Sequence, residues 1–107
     1  MNSVIHTLEP TGVLDGVTAN ELKQQIAEIA HQDANIFLLN MKAVTFMNSS
    51  GIGALVAVLK MLRAQEKQLY LYGLTDQVRM IFELTKMERV FQVFENKEDF
   101  EQAILRS

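Results

Sequence analysis

Cysteine and tryptophan are absent from this 107-residue chain, and proline occurs once. Without a thiol there is no disulfide, no thiolate nucleophile and no cysteine-ligated metal. Such a chain must be held by its core, and its length suits one compact domain over residues 1–107. Positive charge is also short. Ten Lys and Arg against thirteen Asp and Glu leave a net charge of −3 and a pI near 5.3. A general nucleic-acid binder needs a basic stripe to neutralise phosphates, so no direct nucleic-acid partner is expected. The longest apolar run, Ile52 to Leu59, stops at Lys60 and falls far short of the roughly 20 residues that span a bilayer. The N-terminus has neither the basic stretch nor the apolar core of a signal peptide. A cytoplasmic protein without membrane insertion is the expectation. The two histidines, His6 and His31, fall at an expected edge strand and helix end, as surface positions. No His or carboxylate pair has metal spacing on one helix face, so no metal and no cofactor are expected.

What is present is globular: 49% apolar and 21% charged residues. Ser3 to Leu8 reads as a first strand at an edge. Glu9-Pro10 marks a turn, Thr11 to Leu14 a short strand, and Asp15-Gly16 a second turn. Thr18-Ala19-Asn20-Glu21 has the form of a capping box. Leu22, Ile26, Ile29 and Ala30 then recur at helical spacing, to an end near Gln32-Asp33. Ile36-Phe37-Leu38-Leu39 is unbroken and apolar, as in a central strand covered on both faces, and Asn40 ends it. Gln68 to Tyr72 is a further strand closed by Gly73. Thr75 or Asp76 caps a helix with Val78, Ile81, Phe82 and Thr85 inside. Phe91 to Phe94 alternates as a short strand, and Asn96 caps a last helix packed by Phe100, Ala103 and Ile104. The order reads β-β-α-β-α-β-α-β-α. It predicts a single α/β domain with about four helices and a mostly parallel mixed sheet, its N-terminal strand pairing antiparallel.

The most informative stretch is Thr45 to Leu55. An apolar approach, Val44 and Phe46, reads as strand, then Asn48-Ser49-Ser50 as a loop. A helix to about Gln65 follows, apolar nearly all round at its start, as when buried or presented to a partner. Both serines have the chemistry of helix caps. Gly51 and Gly53 permit a sharp turn and close backbone approach. A helix start favours added negative charge, so a serine there is also a plausible phosphate acceptor. Val56 stands where a dinucleotide loop needs a third glycine, and Asn48-Ser49-Ser50-Gly51 is not a nucleophile elbow. With no base in evidence, a serine hydrolase finds no support, and no catalytic residue is expected. Asp15, Asn40, the Asn48-Ser49-Ser50 loop and Gly73-Leu74-Thr75 all come directly after predicted strands. They are expected to gather at one end of the sheet.

Gly12-Val13-Leu14-Asp15, Leu38-Leu39-Asn40-Met41 and Val44-Thr45-Phe46-Met47-Asn48-Ser49-Ser50-Gly51-Ile52-Gly53 together resemble a STAS domain of the bacterial anti-sigma factor antagonists. The resemblance covers essentially the whole chain. It implies a small α/β module with no catalysis of its own. Such a module binds an anti-sigma factor that is a serine/threonine kinase, and so frees the sigma factor. The kinase switches it off by phosphorylating one serine, and a protein phosphatase reverses this. That serine maps to Ser49, with Ser50 the second candidate, and Asp15 matches a family acid near it. The partner-binding face expected from this is Asp15, Asn40, Met47, Asn48, Ser49, Ser50, Gly51 and Ile52, with Met47 as a soft contact. Asn48 stands where the family usually has aspartate, and Asn40 where it often does. An alternative is a constitutive STAS scaffold or accessory subunit, for instance of a membrane transporter, without a phosphoserine switch.

Overall fold

A computed structural model describes residues 4–106 of the chain. The first elements are β1 (Ile5–Leu8), β2 (Gly12–Leu14), α1 (Gly16–Ala30), β3 (Ile36–Asn40), β4 (Val44–Met47) and α2 (Ser49–Ala64). Then come β5 (Gln68–Tyr72), α3 (Asp76–Leu84), a 3-10 turn (Met87–Arg89), β6 (Gln92–Phe94) and α4 (Lys97–Phe100), which continues as a π-type turn over Glu101–Leu105. The Ser3 end of the expected first strand lies outside the described residues. Val44–Met47 is a strand in its own right, which the expected element order left out.

The strands form a four-stranded sheet, β1-β3-β5-β6, and a two-stranded ribbon, β2-β4. All the pairings are parallel, which corrects the expectation of an antiparallel N-terminal strand. The reason lies in the link between β1 and β2. Proline has no amide to donate, and after Pro10 Gly12 takes a left-handed φ of +76°. The Gly12 N–H donates to the Ala43 carbonyl at 2.8 Å. The chain is thus led onto β4 rather than back along β1. β1 is an edge strand and β3 an interior one, as their compositions suggested.

Alternation along the strands divides the interior in two. Phe37, Leu39 and Leu71 face the larger core with Ile26 of α1, Val58 of α2 and Phe82 of α3. Ile36, Leu38, Tyr70 and Tyr72 face the other way and are closed by Phe100 of α4. The Phe100 ring lies 5.4 Å from that of Tyr70 and 5.8 Å from that of Phe94. This is the tilted or edge-on spacing that aromatic pairs prefer.

Helix ends depart from the expected positions where a better cap is at hand. α1 starts a turn early: Asp15, not Thr18, is its cap, in a reciprocal box with Thr18. It ends at Ala30 with His31 as the C-cap, before Gln32-Asp33. Thr75 caps α3 and Asn96 caps α4, each by accepting from the amide three residues on. Thr85 is exposed rather than inward, and its hydroxyl donates to the Ile81 carbonyl at 2.7 Å. Ala103 is exposed and Ile104 half-buried.

Candidate functional site

Asn48 is the N-cap of α2. Its side-chain oxygen accepts from the Gly51 amide at 2.9 Å, and its carbonyl accepts from Ile52 N–H at 3.0 Å. The capping role expected of the serines is therefore filled one residue earlier. Ser49 and Ser50 occupy the first two helical positions, both exposed, and neither hydroxyl has a hydrogen-bond partner among the described residues. Asparagine caps as well as aspartate does, so the helix start keeps its cap without a carboxylate beside Ser49.

Two backbone contacts lock this turn to the end of β2. The Asn48 N–H donates to the Leu14 carbonyl at 3.3 Å. Gly51 sits so close to that carbonyl that a Cβ would lie 2.0 Å from its oxygen. Only glycine fits there. Gly53 is different, since a Cβ on it would meet nothing within 4 Å. The close approach expected of both glycines belongs to Gly51 alone.

Asp15 follows Leu14 and comes to the same place. Its Oδ1 accepts from the amides of Thr18 at 2.9 Å and Val17 at 3.0 Å. The Thr18 hydroxyl lies 3.1 Å from the same oxygen, accepts from the Asp15 amide at 2.9 Å and donates to the Val13 carbonyl at 2.8 Å. Hydrogen bonds from Thr18, then Val17, hold the carboxyl below the ordinary aspartate value of 3.8. Gly16 abuts Ser50, whose Cβ would be 3.2 Å from a Cβ at Gly16. Asp15, Asn48, Ser49 and Ser50 are thus brought to one end of the ribbon.

Asn40 is tied elsewhere. It pairs with Tyr72 in the sheet, its amide donates to Glu9 at 3.0 Å, and its oxygen accepts from the Lys42 amide at 3.0 Å. An aspartate at 40 would place a second carboxylate against Glu9; the asparagine donates to it instead. Lys42 folds across Gly73, with its Nζ 5.6 Å from the centre of the Tyr72 ring. Among the described residues, Asp15 is joined to the serine turn and Asn40 to Glu9 and Lys42, with Lys42 against Gly73. Thr75 is held at the foot of β4, its hydroxyl donating to the Val44 carbonyl at 3.1 Å.

Met47 is 1% exposed and belongs to the core, which corrects its expected place as a surface contact. The cause is a register shift in the ribbon. Gly12 pairs with Val44, but Val13 pairs with Phe46 and Leu14 with Met47, so Thr45 is the extra residue of a bulge. One added residue reverses the faces of the residues after it. Met47 turns inward with Leu14, and Phe46 turns outward beside Val13. Phe46 is 41% exposed and Val13 46%; Val17, in the first turn of α1, is 70% exposed. Sequence reasoning missed this apolar outer face. Its one signal is Val44-Thr45-Phe46-Met47, which holds more apolar residues than strict alternation can bury. Gly51 is buried, and Ile52 is half-buried against the larger core.

Residues 2–100 match the sequence profile of the STAS domain. The chain belongs to the STAS domain family. Over 87 residues it is 31% identical to an anti-sigma-B factor antagonist of Staphylococcus aureus (strain NCTC 8325 / PS 47), covering 81% of each chain. In fold this STAS domain is similar to the anti-sigma factor antagonist SpoIIAA in its unphosphorylated form. The TM-score is 0.75 at 18% identity, over 95% of this chain and 90% of that one. It is also similar to a sulfate transporter family protein from Wolinella succinogenes, with a TM-score of 0.81 at 15% identity, over 96% and 88% of the two chains. No helix of the described residues is long and apolar enough to cross a membrane, and among them no group of three or more acidic or histidine side chains is placed to hold a metal.

Proposed function

We propose that this STAS domain is an anti-sigma factor antagonist whose docking face surrounds Ser49. Its partner is a kinase-type anti-sigma factor, which releases the domain by phosphorylating Ser49; a protein phosphatase restores it. ATP and magnesium belong to the kinase, and this chain contributes the acceptor hydroxyl. The observation that carries the reading is the state of Ser49. It lies exposed in the first turn of α2, with no hydrogen-bond partner among the described residues, while Asn48 does the capping.

The switch needs no change of shape. Phosphate adds about −1.5 to −2 charges at neutral pH. A docked partner would have to strip water from that group, which is unfavourable without a paired cation. A loss of about 3 kcal/mol weakens binding on the order of a hundredfold. Asp15 adds its own negative charge at the same end of the ribbon, and Asn48 adds none.

The test is incubation with ATP and the purified anti-sigma kinases of the source organism, read by intact mass and peptide mapping. One phosphate on Ser49 is expected. Ser49→Ala should lose the label and keep binding, and Ser49→Asp should weaken binding. Phosphate on Ser50 alone would move the switch by one residue. No label, together with co-purification of a transporter ATPase, would replace this reading with the constitutive scaffold.

A further inference from the structure

We propose that the trough between β1 and α1 binds an extended, basic peptide segment of another protein, which adds to β1 as a further strand. β1 pairs with β3 alone, so its other edge is open. The Val4 carbonyl accepts from the Ile36 amide at 3.2 Å, on the side of β3. Alternation then turns the amide and carbonyl of Ile5 and of Thr7 the other way, toward the open edge. Nothing in β1 blunts that edge. Ile5-His6-Thr7-Leu8 has no Lys, Arg, Asp or Glu, no proline and an unbroken register. α1 returns past the edge, and a cavity of about 230 Å³ separates the two, lined by His6, Thr7, Leu8, Leu22, Gln25 and Ile29. Pro10, Leu22 and Gln25 also line a cavity of about 150 Å³ between α1 and the start of β2, so the two form one trough along the helix. A strand edge beside a helix, with a trough between them, suits an extended chain. Its backbone bonds the edge, and every second side chain enters the trough.

The walls of the trough select the peptide. Leu8, Leu22 and Ile29 give it an apolar floor, which takes aliphatic or aromatic side chains at alternate positions. The exposed Gln25 amide lies along it, with a donor and an acceptor for the peptide backbone. No lysine or arginine lines either cavity, whereas Glu9 and Glu21 do. Glu9 precedes Pro10 and Glu21 precedes Leu22, and Pro10 and Leu22 line both cavities, so the carboxylates stand where the cavities meet. Glu9 is held there by the Asn40 side-chain amide at 3.0 Å. An acidic junction on an apolar floor draws a Lys or Arg of the peptide to it. A second copy of this chain is a poorer occupant. Its own edge segment, residues 1–15, contains no Lys or Arg and would bring Glu9 and Asp15 to an acidic trough. The cavity beside β1 shares no residue with the Ser49 turn, so this site does not depend on the switch proposed above.

The probe is a set of short synthetic peptides, capped at both ends, with Val, Leu or Phe at alternate positions, Thr between them, and Lys, Gln or Glu at one position. Binding is read by fluorescence anisotropy and by amide shifts of the isotope-labelled chain. A Lys peptide should bind, move the amides of Ile5, Thr7, Gln25 and Ile29, and slow hydrogen exchange at Ile5 and Thr7. Its Glu counterpart should bind about fivefold more weakly, as for one exposed charge pair lost. Gln25→Arg, at an exposed position, should weaken binding of the Lys peptide about tenfold by filling the trough and repelling the cation. Thr7→Pro removes an outward amide and no bond to β3, and should abolish binding. Gln25→Arg reads the site even if Thr7→Pro folds poorly. Leu84→Ala, on the exposed side of α3, should bind as the wild type does. The proposal is overturned if no peptide of the set moves the amides of Ile5 and Thr7, or if both trough variants bind within twofold of the wild type. Concentration-dependent shifts at Ile5 and Thr7 without peptide would give the edge to a second copy and overturn it as well. None of these results bears on labelling of Ser49 by a kinase, so the two proposals fail separately.

Discussion

The molecule has two outer sheet faces, and it treats them in opposite ways. On the four-stranded sheet, Ile36, Leu38, Tyr70 and Tyr72 are covered by α4, and Phe100 is 1% exposed. On the ribbon, Val13 and Phe46 stand in solvent. Both faces are apolar; the first is closed by a phenylalanine from α4, and the second carries an exposed phenylalanine of its own. The difference lies in where the chain goes after each set of strands. β6 leads into Asn96, which caps a helix that folds back onto the sheet. β2 and β4 lead into Asp15 and Asn48, which cap helices on the inner side. An apolar face that the chain itself covers serves stability, and one that it leaves open is available for recognition.

Phe100→Ala should produce the largest effect, a loss of about 3–5 kcal/mol in urea unfolding, as for a buried aromatic truncated to alanine. Phe46→Ala should lose no more than about 1 kcal/mol in the same assay, as at a surface position. Equal losses at the two phenylalanines would break the comparison. Next comes Gly51→Ala. Its added methyl meets the Leu14 carbonyl, so about 3 kcal/mol should be lost as the ribbon and α2 are forced apart. Asn48→Ala removes one cap and should lower stability by about 1 kcal/mol, leaving the covered face intact.

The smallest effect is a pH dependence. Hydrogen bonds from Thr18 and Val17 depress the Asp15 pKa in the folded chain. The unfolded chain therefore takes up this proton first as pH falls. The stabilisation is complete above the ordinary aspartate value of 3.8 and is lost as pH drops through the lower folded value. Asp15→Asn should flatten that acid limb of the stability curve. An unchanged limb would show that this carboxylate does not stabilise the ribbon's end.

Elements with strong local signals were legible in the sequence. The Ile36–Leu39 run, the spacing of Leu22, Ile26 and Ala30, and the caps Thr75 and Asn96 all stand where they were expected. What was not legible depends on contacts outside the local pattern of the element itself. The parallel course of β2 comes from a Gly12 bond to Ala43. Between Asp15 and Thr18 as cap, local preference barely chooses, and the carbonyl of Val13 decides by engaging the Thr18 hydroxyl. At the candidate site the serine turn was legible as a motif. The exposure of Phe46 was not, because a bulge is a property of two paired strands and β4 was read alone.

The parallel ribbon also bears on the order of folding. Gly12 finds Val44 only across an intervening helix and strand, a loop as long as the one that joins β3 to β5, yet three residue pairs reward its closure where β3 and β5 gain five. The local helices and the β3–β5 centre have more to gain early, which places the ribbon among the last pieces to form. A nascent or partly unfolded chain would then hold a nearly complete hydrophobic interior yet lack the exposed apolar face of Val13 and Phe46. Pulsed amide exchange during refolding should find protection at Val13 and Phe46 arriving after that at Leu38 and Leu71.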